Sequence, residues 1–275
     1  MDRPLPLLHI SNHALAVRYR PGFGSVIPAS WTLVPSVLSG LPPIVCVHGI
    51  SREVEEMARL LSPASAETGR IFVMPHFDEK HYPRYQSCLC RNRSDLALIR
   101  LVEELMRDGC VPPGRFDLAG YSGGAQFAHR FTWLYPHWIE RLVVSSAGWY
   151  TFPDNSPFPY GMGPSESSRL RLVHQCLKVN LRAFLDRKIM IRVGEHDDAV
   201  DAVTRSGPEI EAQQGRDRKT RARIWHQALL QAARDLGVVP QVDFALMPGC
   251  GHSFEECVRL GGLSEVISGM QQAPS

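Results

Sequence analysis

The chain reads as an α/β protein: a mostly parallel, doubly wound sheet with helices on both faces. Three observations predict this. Short, almost wholly apolar runs rich in β-branched residues, such as Ile44-Val45-Cys46-Val47 and Leu142-Val143-Val144, have the character of strands buried on both faces. Segments with apolar residues at helical spacing alternate with these runs along almost the whole chain. One run, Phe116 to Ala119, leads directly into Gly120-Tyr121-Ser122-Gly123-Gly124 and then a helical pattern, a strand–turn–helix.

The elements follow in order. Leu15, Val17 and Tyr19 alternate within residues 13–19 and predict an edge strand; Trp31 to Leu38 predicts a second short one. Ile44 to Val47 is the first buried strand. It ends in His48-Gly49-Ile50-Ser51, where Ser51 is expected to cap a helix from Arg52 to Leu61 with an acidic first turn. Arg70 to Pro75 is the next strand, followed by an irregular polar and aromatic stretch from His76 to Arg93. A helix starting at Ser94 carries Leu96, Ile99, Val102, Leu105 and Met106 at helical spacing and closes at Gly109.

The helix after Ser122 ends before Pro136, and Arg141 to Gly148 is a further buried strand. Residues 149–163 are dense in proline, glycine and aromatics without periodicity, so they read as an insertion over the edge of the sheet. A helix over about 167–184 and a strand from Lys188 to Val193 come next. Arg216 to Leu236 predicts a long amphipathic helix whose basic start is expected to be a solvated face. Val242 to Met247 is the last strand, and a helix begins at Phe254. The expected organisation is one domain over 1–275, with 149–187 as a small cap or insertion within it.

Composition narrows the function. The 275 residues are 44% hydrophobic, which suits a single large core, and carry a net charge of +2 with both signs interspersed. No electrostatic case for nucleic acid or an anionic membrane follows. No run of 18 apolar residues occurs, and the first residues lack the apolar core and small-residue site of a signal peptide, so the cytoplasm is the expected compartment. The seven cysteines show no CxxC pair and no zinc-ligand spacing, and reduced thiols are expected. No HExxH, GxGxxG or GxxxxGK[ST] pattern is present, so neither metal nor cofactor is expected.

In the strand–turn–helix setting, G-x-S-x-G is the pattern of a nucleophile elbow. The sharp turn demands small residues two positions either side of the serine, and Gly120 and Gly124 stand there. The other chemistry-bearing segments also fall just after strands. Gly194-Glu195-His196-Asp197-Asp198 follows the strand ending at Val193, and Gly251-His252-Ser253-Phe254 follows the last strand. In a parallel sheet the carboxyl ends of the strands form the ligand edge. A serine, a carboxylate and a histidine gathered there have complementary chemistry. The histidine removes the proton from a weakly nucleophilic hydroxyl, and the carboxylate holds the imidazole tautomer and stabilises the cation. The N–H of Gly123, at a helix start, is free to stabilise a developing oxyanion.

These motifs resemble those of the α/β-hydrolase superfamily, over about residues 43–264. That superfamily orders its partners nucleophile, acid, histidine, as in Ser122, Asp197 and His252. The resemblance puts the acid at the end of Gly194-Glu195-His196-Asp197, with Asp198, Glu195 and Asp201 as alternatives, and the histidine in a Gly-His-x-Phe segment. It also implies that the loop His48-Gly49-Ile50 gives the second oxyanion donor, the N–H of Ile50, with Ser51 the alternative. The implied activity is hydrolysis of a small carboxylic ester through an acyl-enzyme. A peptidase or amidase of the same mechanism, or a non-catalytic binding protein on the same fold, are the alternatives.

Two segments are expected to wall the pocket: 76–93, with Tyr85 and the arginines Arg84, Arg91 and Arg93, and 149–163, with Trp149 and Tyr150. Trp149, Tyr150 and Tyr85 are the expected substrate-binding residues. Oligomeric state is open.

Overall fold

The computed structural model describes residues 14–270 apart from 166, 168, 169, 171 and 201–203. Eight strands form one sheet in the order β1-β2-β4-β3-β5-β6-β7-β8. They are β1 Leu15–Arg20, β2 Ala29–Pro35, β3 Ile44–Val47, β4 Phe72–His76, β5 Phe116–Tyr121, β6 Ile139–Ser145, β7 Lys188–Gly194 and β8 Val242–Met247. The first two join antiparallel, β1 to β2 and β2 to β4, and every later pairing is parallel. The sheet is therefore mostly parallel, as its strand-and-helix alternation predicts.

Strand side chains alternate between two cores, which is why the apolar runs are continuous. Val45 and Val47 face one core with Leu142 and Val144, while Ile44, Cys46 and Val143 face the other. The first core is covered by α2 (Ser94–Arg107), α3 (Gly123–Leu134), α4 (Val173–Leu185) and α6 (Arg218–Asp235). The second lies under α1 (Val54–Thr68), α7 (Phe254–Arg259) and α8 (Leu263–Ser268). No helix among the described residues is long and apolar enough to cross a membrane.

Several elements differ from the sequence reading. Ser51 does not cap α1: its hydroxyl donates to Glu53 Oε2, and the helix starts at Val54 rather than Arg52. Arg52 has positive φ (62°) and its guanidinium donates to the carbonyls of Phe77, Tyr82 and Pro83, which pulls it out of the helix. The helix also continues past Leu61 through Pro63 to Thr68. Pro63 cannot donate to Arg59 O, and the Ser62 hydroxyl donates to that carbonyl instead at 2.8 Å. A short helix, α5 (Pro208–Gln214), has only Ile210 as a buried apolar residue and so gives no periodic signal.

The basic start of α6 is not wholly a solvated face. Arg218 and Arg221 are buried, while Arg216 and Arg223 are exposed. Residues 149–163 are irregular, and Tyr150, Phe152 and Phe158 are buried in the first core. The following helix, α4, starts at Val173; the first part of the 167–184 expectation includes residues outside those described. It lies against α3, where Trp133 and Phe184 stack at 4.8 Å.

Candidate active site

The site is built on the turn between β5 and α3. Ser122 adopts φ 52° and ψ −113°, a strained conformation for a residue with a side chain, and is 8% exposed. The turn is tight enough to need both flanking glycines. A Cβ on Gly120 would overlap the carbonyl of Gly124, and one on Gly124 would overlap that of Val47.

Ser122 Oγ lies 3.1 Å from His252 Nε2, and His252 Nδ1 lies 2.9 Å from Asp197 Oδ2. A carboxylate only accepts, so Nδ1 carries the hydrogen and Nε2 is free to accept from the serine hydroxyl. The three residues come from the turns after β5, β7 and β8. Asp197 is 1% exposed, and its second oxygen, Oδ1, faces Arg218 Nη1 at 3.4 Å. Of the alternative acids, Asp198 is exposed and pairs with Lys219 Nζ at 2.7 Å, which holds its carboxyl below the usual range. Glu195 is exposed and accepts from Gly249 N–H. Asp201 lies outside the described residues.

The loop after β3 runs alongside. The Ile50 nitrogen would be 3.4 Å from a Cβ placed on Gly123, so the two N–H groups are neighbours. His48 is 1% exposed and holds this loop from within. It accepts the Phe77 N–H at Nε2 (3.1 Å), so Nδ1–H donates to Gly49 O (2.8 Å). Burial drives its pKa down to about 3, so the ring is neutral at working pH.

Of the three expected substrate-binding aromatics, only Trp149 lines the cavity beside Ser122. Tyr85 is fully buried. Its hydroxyl donates to His48 O at 2.6 Å and its ring stacks on Phe77 at 5.3 Å. Tyr150 is also fully buried and stacks on Trp225 at 4.5 Å. The amide of Gln214 brackets its backbone, accepting from Tyr150 N–H and donating to Tyr150 O. With its backbone held and its ring in the core, Tyr150 faces away from the cavity that Trp149 lines. The arginines of 76–93 do not gather there either: Arg93 pairs with Asp95 at 2.8 Å, and Arg84 and Arg91 are exposed.

The cavity has a volume of about 1180 Å³ and is open. Besides Ser122 and His252 it is lined by residues that the sequence did not single out, among them His76, Tyr121, Gln126, Arg205 and Arg218. Tyr121 stacks on His252 at 5.3 Å with its ring plane 28° away, so the residue before the serine supports the imidazole. Its place between Gly120 and Ser122 was a signal for that role. Arg218 had none, since it meets Asp197 only because α6 packs beside β7.

No family model matches the sequence, and no curated protein matches it either. Solved structures do. Poly(aspartic acid) hydrolase-1 from Sphingomonas sp. KT-1 superposes with a TM-score of 0.73 at 20% identity, covering 94% of this chain and 98% of its own. A poly(3-hydroxybutyrate) depolymerase from Bordetella parapertussis superposes at 0.74 and 22% identity, over 90% and 85%. S-formylglutathione hydrolase from Staphylococcus aureus does so at 0.58 and 13%, over 94% and 96%. The chain has the α/β-hydrolase fold that its motifs resemble.

Proposed function

We propose that the chain is a serine hydrolase of carboxylic esters, a single domain over 1–275 with 149–187 as its small cap. One observation carries this reading: the continuous line from Ser122 Oγ through His252 to the buried Asp197, at 3.1 and 2.9 Å. Its structural neighbours, a poly(aspartic acid) hydrolase, a poly(3-hydroxybutyrate) depolymerase and an S-formylglutathione hydrolase, support hydrolysis of an acyl bond as the chemistry.

In this reading Ser122 Oγ attacks the ester carbonyl carbon while His252 Nε2 takes the hydroxyl proton. Asp197 holds the ring and stabilises the imidazolium. The carbonyl oxygen, now negative, accepts from the N–H groups of Gly123 and Ile50. Neither N–H has an acceptor among the described residues, and Gly123 is the first residue of α3, where the helix leaves it free. The tetrahedral species then expels the alcohol, which receives the proton from His252, and leaves an acyl-Ser122. Water, deprotonated by the same histidine, attacks that ester and releases the acid.

A fluorophosphonate probe tests the reading. Wild-type protein is expected to be labelled on Ser122 and Ser122→Ala to remain unlabelled. A wild type that resists the probe and leaves 4-nitrophenyl acetate intact would sink the proposal.

A further inference from the structure

The cavity has two chemically different ends. Glu53, Glu55 and Glu56 come from the start of α1, and Glu255 from α7, both on one face of the sheet. Glu56 and Glu255 are paired with Arg59 and Arg259. Gln86, Gln126, Trp149 and Arg205 come from the other side, beside α3.

That second end is cationic, and no acid among the described residues pairs with its guanidinium groups. The guanidinium of Arg130, on α3, lies 3.9 Å from the centre of the Trp149 ring and is 1% exposed. Its hydrogen bonds go only to neutral acceptors: Thr151 Oγ1, Gln86 O and Gln126 O. Its Nη2 has no partner among the described residues. A buried charge is ordinarily paired with an acid, and none of the described groups around Arg130 is one. Burial lowers its pKa only to about 9, so it stays charged at neutral pH. Arg205 lines the cavity above the same ring, 5.5 Å from Trp149 and 5.1 Å from Tyr160, and among the described residues its guanidinium makes neither a hydrogen bond nor an ion pair.

This end is also built rather than loose. Arg221, fully buried, donates to Gly148 O and to Arg205 O, both at 2.7 Å, which ties together the two backbone segments carrying Trp149 and Arg205. Gln126, one helical turn after Ser122 and 8% exposed, lines this end, and the NH2 group of its amide can donate to an anion there.

We propose that the end of the cavity formed by Trp149, Arg205 and Gln126 over Arg130 is a carboxylate-binding subsite, so that the ester cleaved at Ser122 carries a free carboxylate. This rests on the ester-hydrolase reading for the cleavage and on the cavity alone for the binding. Arg205 faces the anion directly. Arg130 acts through the ring and the local field, because it is buried beneath Trp149. The glutamates at the other end repel the same anion and orient it toward Trp149.

Two pairs of esters test it, read as kcat/KM at low salt. The first pair is mono-4-nitrophenyl glutarate against 4-nitrophenyl butyrate, with the charge in the acyl part. The second is 4-acetoxybenzoate against phenyl acetate, with the charge in the leaving group. A preference of about tenfold for the anionic member of one pair is expected, the size of one arginine–carboxylate contact in a partly wet site. It should fall to near unity in Arg205→Gln and be retained in Arg205→Lys. The pair that shows it tells which half of the ester enters the subsite.

A binding arm separates the two readings. Glutarate is titrated calorimetrically into Ser122→Ala, with and without Arg205→Gln. Binding that Arg205→Gln removes supports the subsite even where no ester is cleaved. Hydrolysis without preference in either pair, or glutarate binding that Arg205→Gln leaves unchanged, overturns the subsite while the hydrolase reading stands. Failure of glutarate to bind also overturns it.

Discussion

Asp197 and Asp198 are adjacent in sequence, yet their surroundings are opposite. Asp197 is buried against His252 and Arg218, and Asp198 is exposed against Lys219. Asp197→Asn is expected to lower kcat about 10⁴-fold, because an amide that donates favours the wrong imidazole tautomer. Asp198→Asn should leave kcat within about twofold, as exposed surface changes do. Steady-state kinetics on one chromogenic ester checks both.

His48 makes a prediction about pH. Its folded pKa is depressed to about 3 by burial, against about 6.5 when unfolded. Between those values the unfolded chain binds the extra proton, so stability is full above about pH 6.5 and is lost as pH falls toward 3. From pH 6.5 to 5 the loss attributable to this ring is roughly 2 kcal/mol. Urea unfolding at pH 7.5 and 5.0 measures it. In His48→Asn the stability at pH 7.5 should fall while the difference between the two pH values shrinks. An unchanged difference would remove His48 from the acid response.

The β5–α3 turn has its own requirement, separate from the chemistry it carries. Val47 O and Gly124 O close on the turn from both sides, so neither flanking glycine has room for a methyl group. Gly120→Ala and Gly124→Ala should each destabilise by about 3 kcal/mol or more, since the obstruction is backbone and cannot rotate away. Thermal melts of soluble protein, or loss of soluble expression, report this. Gly123 differs. A Cβ there would meet Ile50 Cγ2 and the hydroxyl of Tyr85, both side-chain atoms. Gly123→Ala should therefore fold and lose activity, by displacing the loop that carries the Ile50 N–H.

Across the molecule, the edge of the sheet opposite Ser122 is held by one carboxylate. Asp117, at the start of β5, accepts from Arg70 Nη2 at 2.7 Å and from Arg141 Nε at 3.0 Å. The two arginines go on to the carbonyls of Ser268, Val266 and Ile267 at the end of α8. The sheet is thereby tied to the last helix, and all three side chains are buried. Asp117→Asn leaves two buried cations without their shared anion and should cost about 3–5 kcal/mol of stability. Chemical denaturation checks this. The kcat of the remaining folded enzyme should be unchanged, because the cluster lies at the amino ends of the strands.

Strand cores, their parallel arrangement and the elbow were legible in the order of residues because each depends on local rules. A strand buried on both faces must be apolar throughout, a sharp turn must have glycine where backbones touch, and a helix must repeat its apolar face. Ser122 followed from its own pentapeptide, whereas Asp197 and His252 needed the resemblance to choose among neighbours. What the chain order did not carry were contacts between segments far apart. Arg218 meets Asp197, Arg221 joins Gly148 to Arg205, and Arg130 lies under Trp149, across separations of 21, 73 and 16 residues, and 19 residues, respectively. An arginine in a sequence looks solvated by default; only packing shows which guanidinium lost its water, and whether an acid came with it. The same holds for Tyr85 and Tyr150, whose rings suit a pocket wall or a core equally well until the backbone direction is known. In the proposed reading the elbow specifies the chemistry, and Arg205 over Trp149 and the buried Arg130 selects the charge of what is brought there.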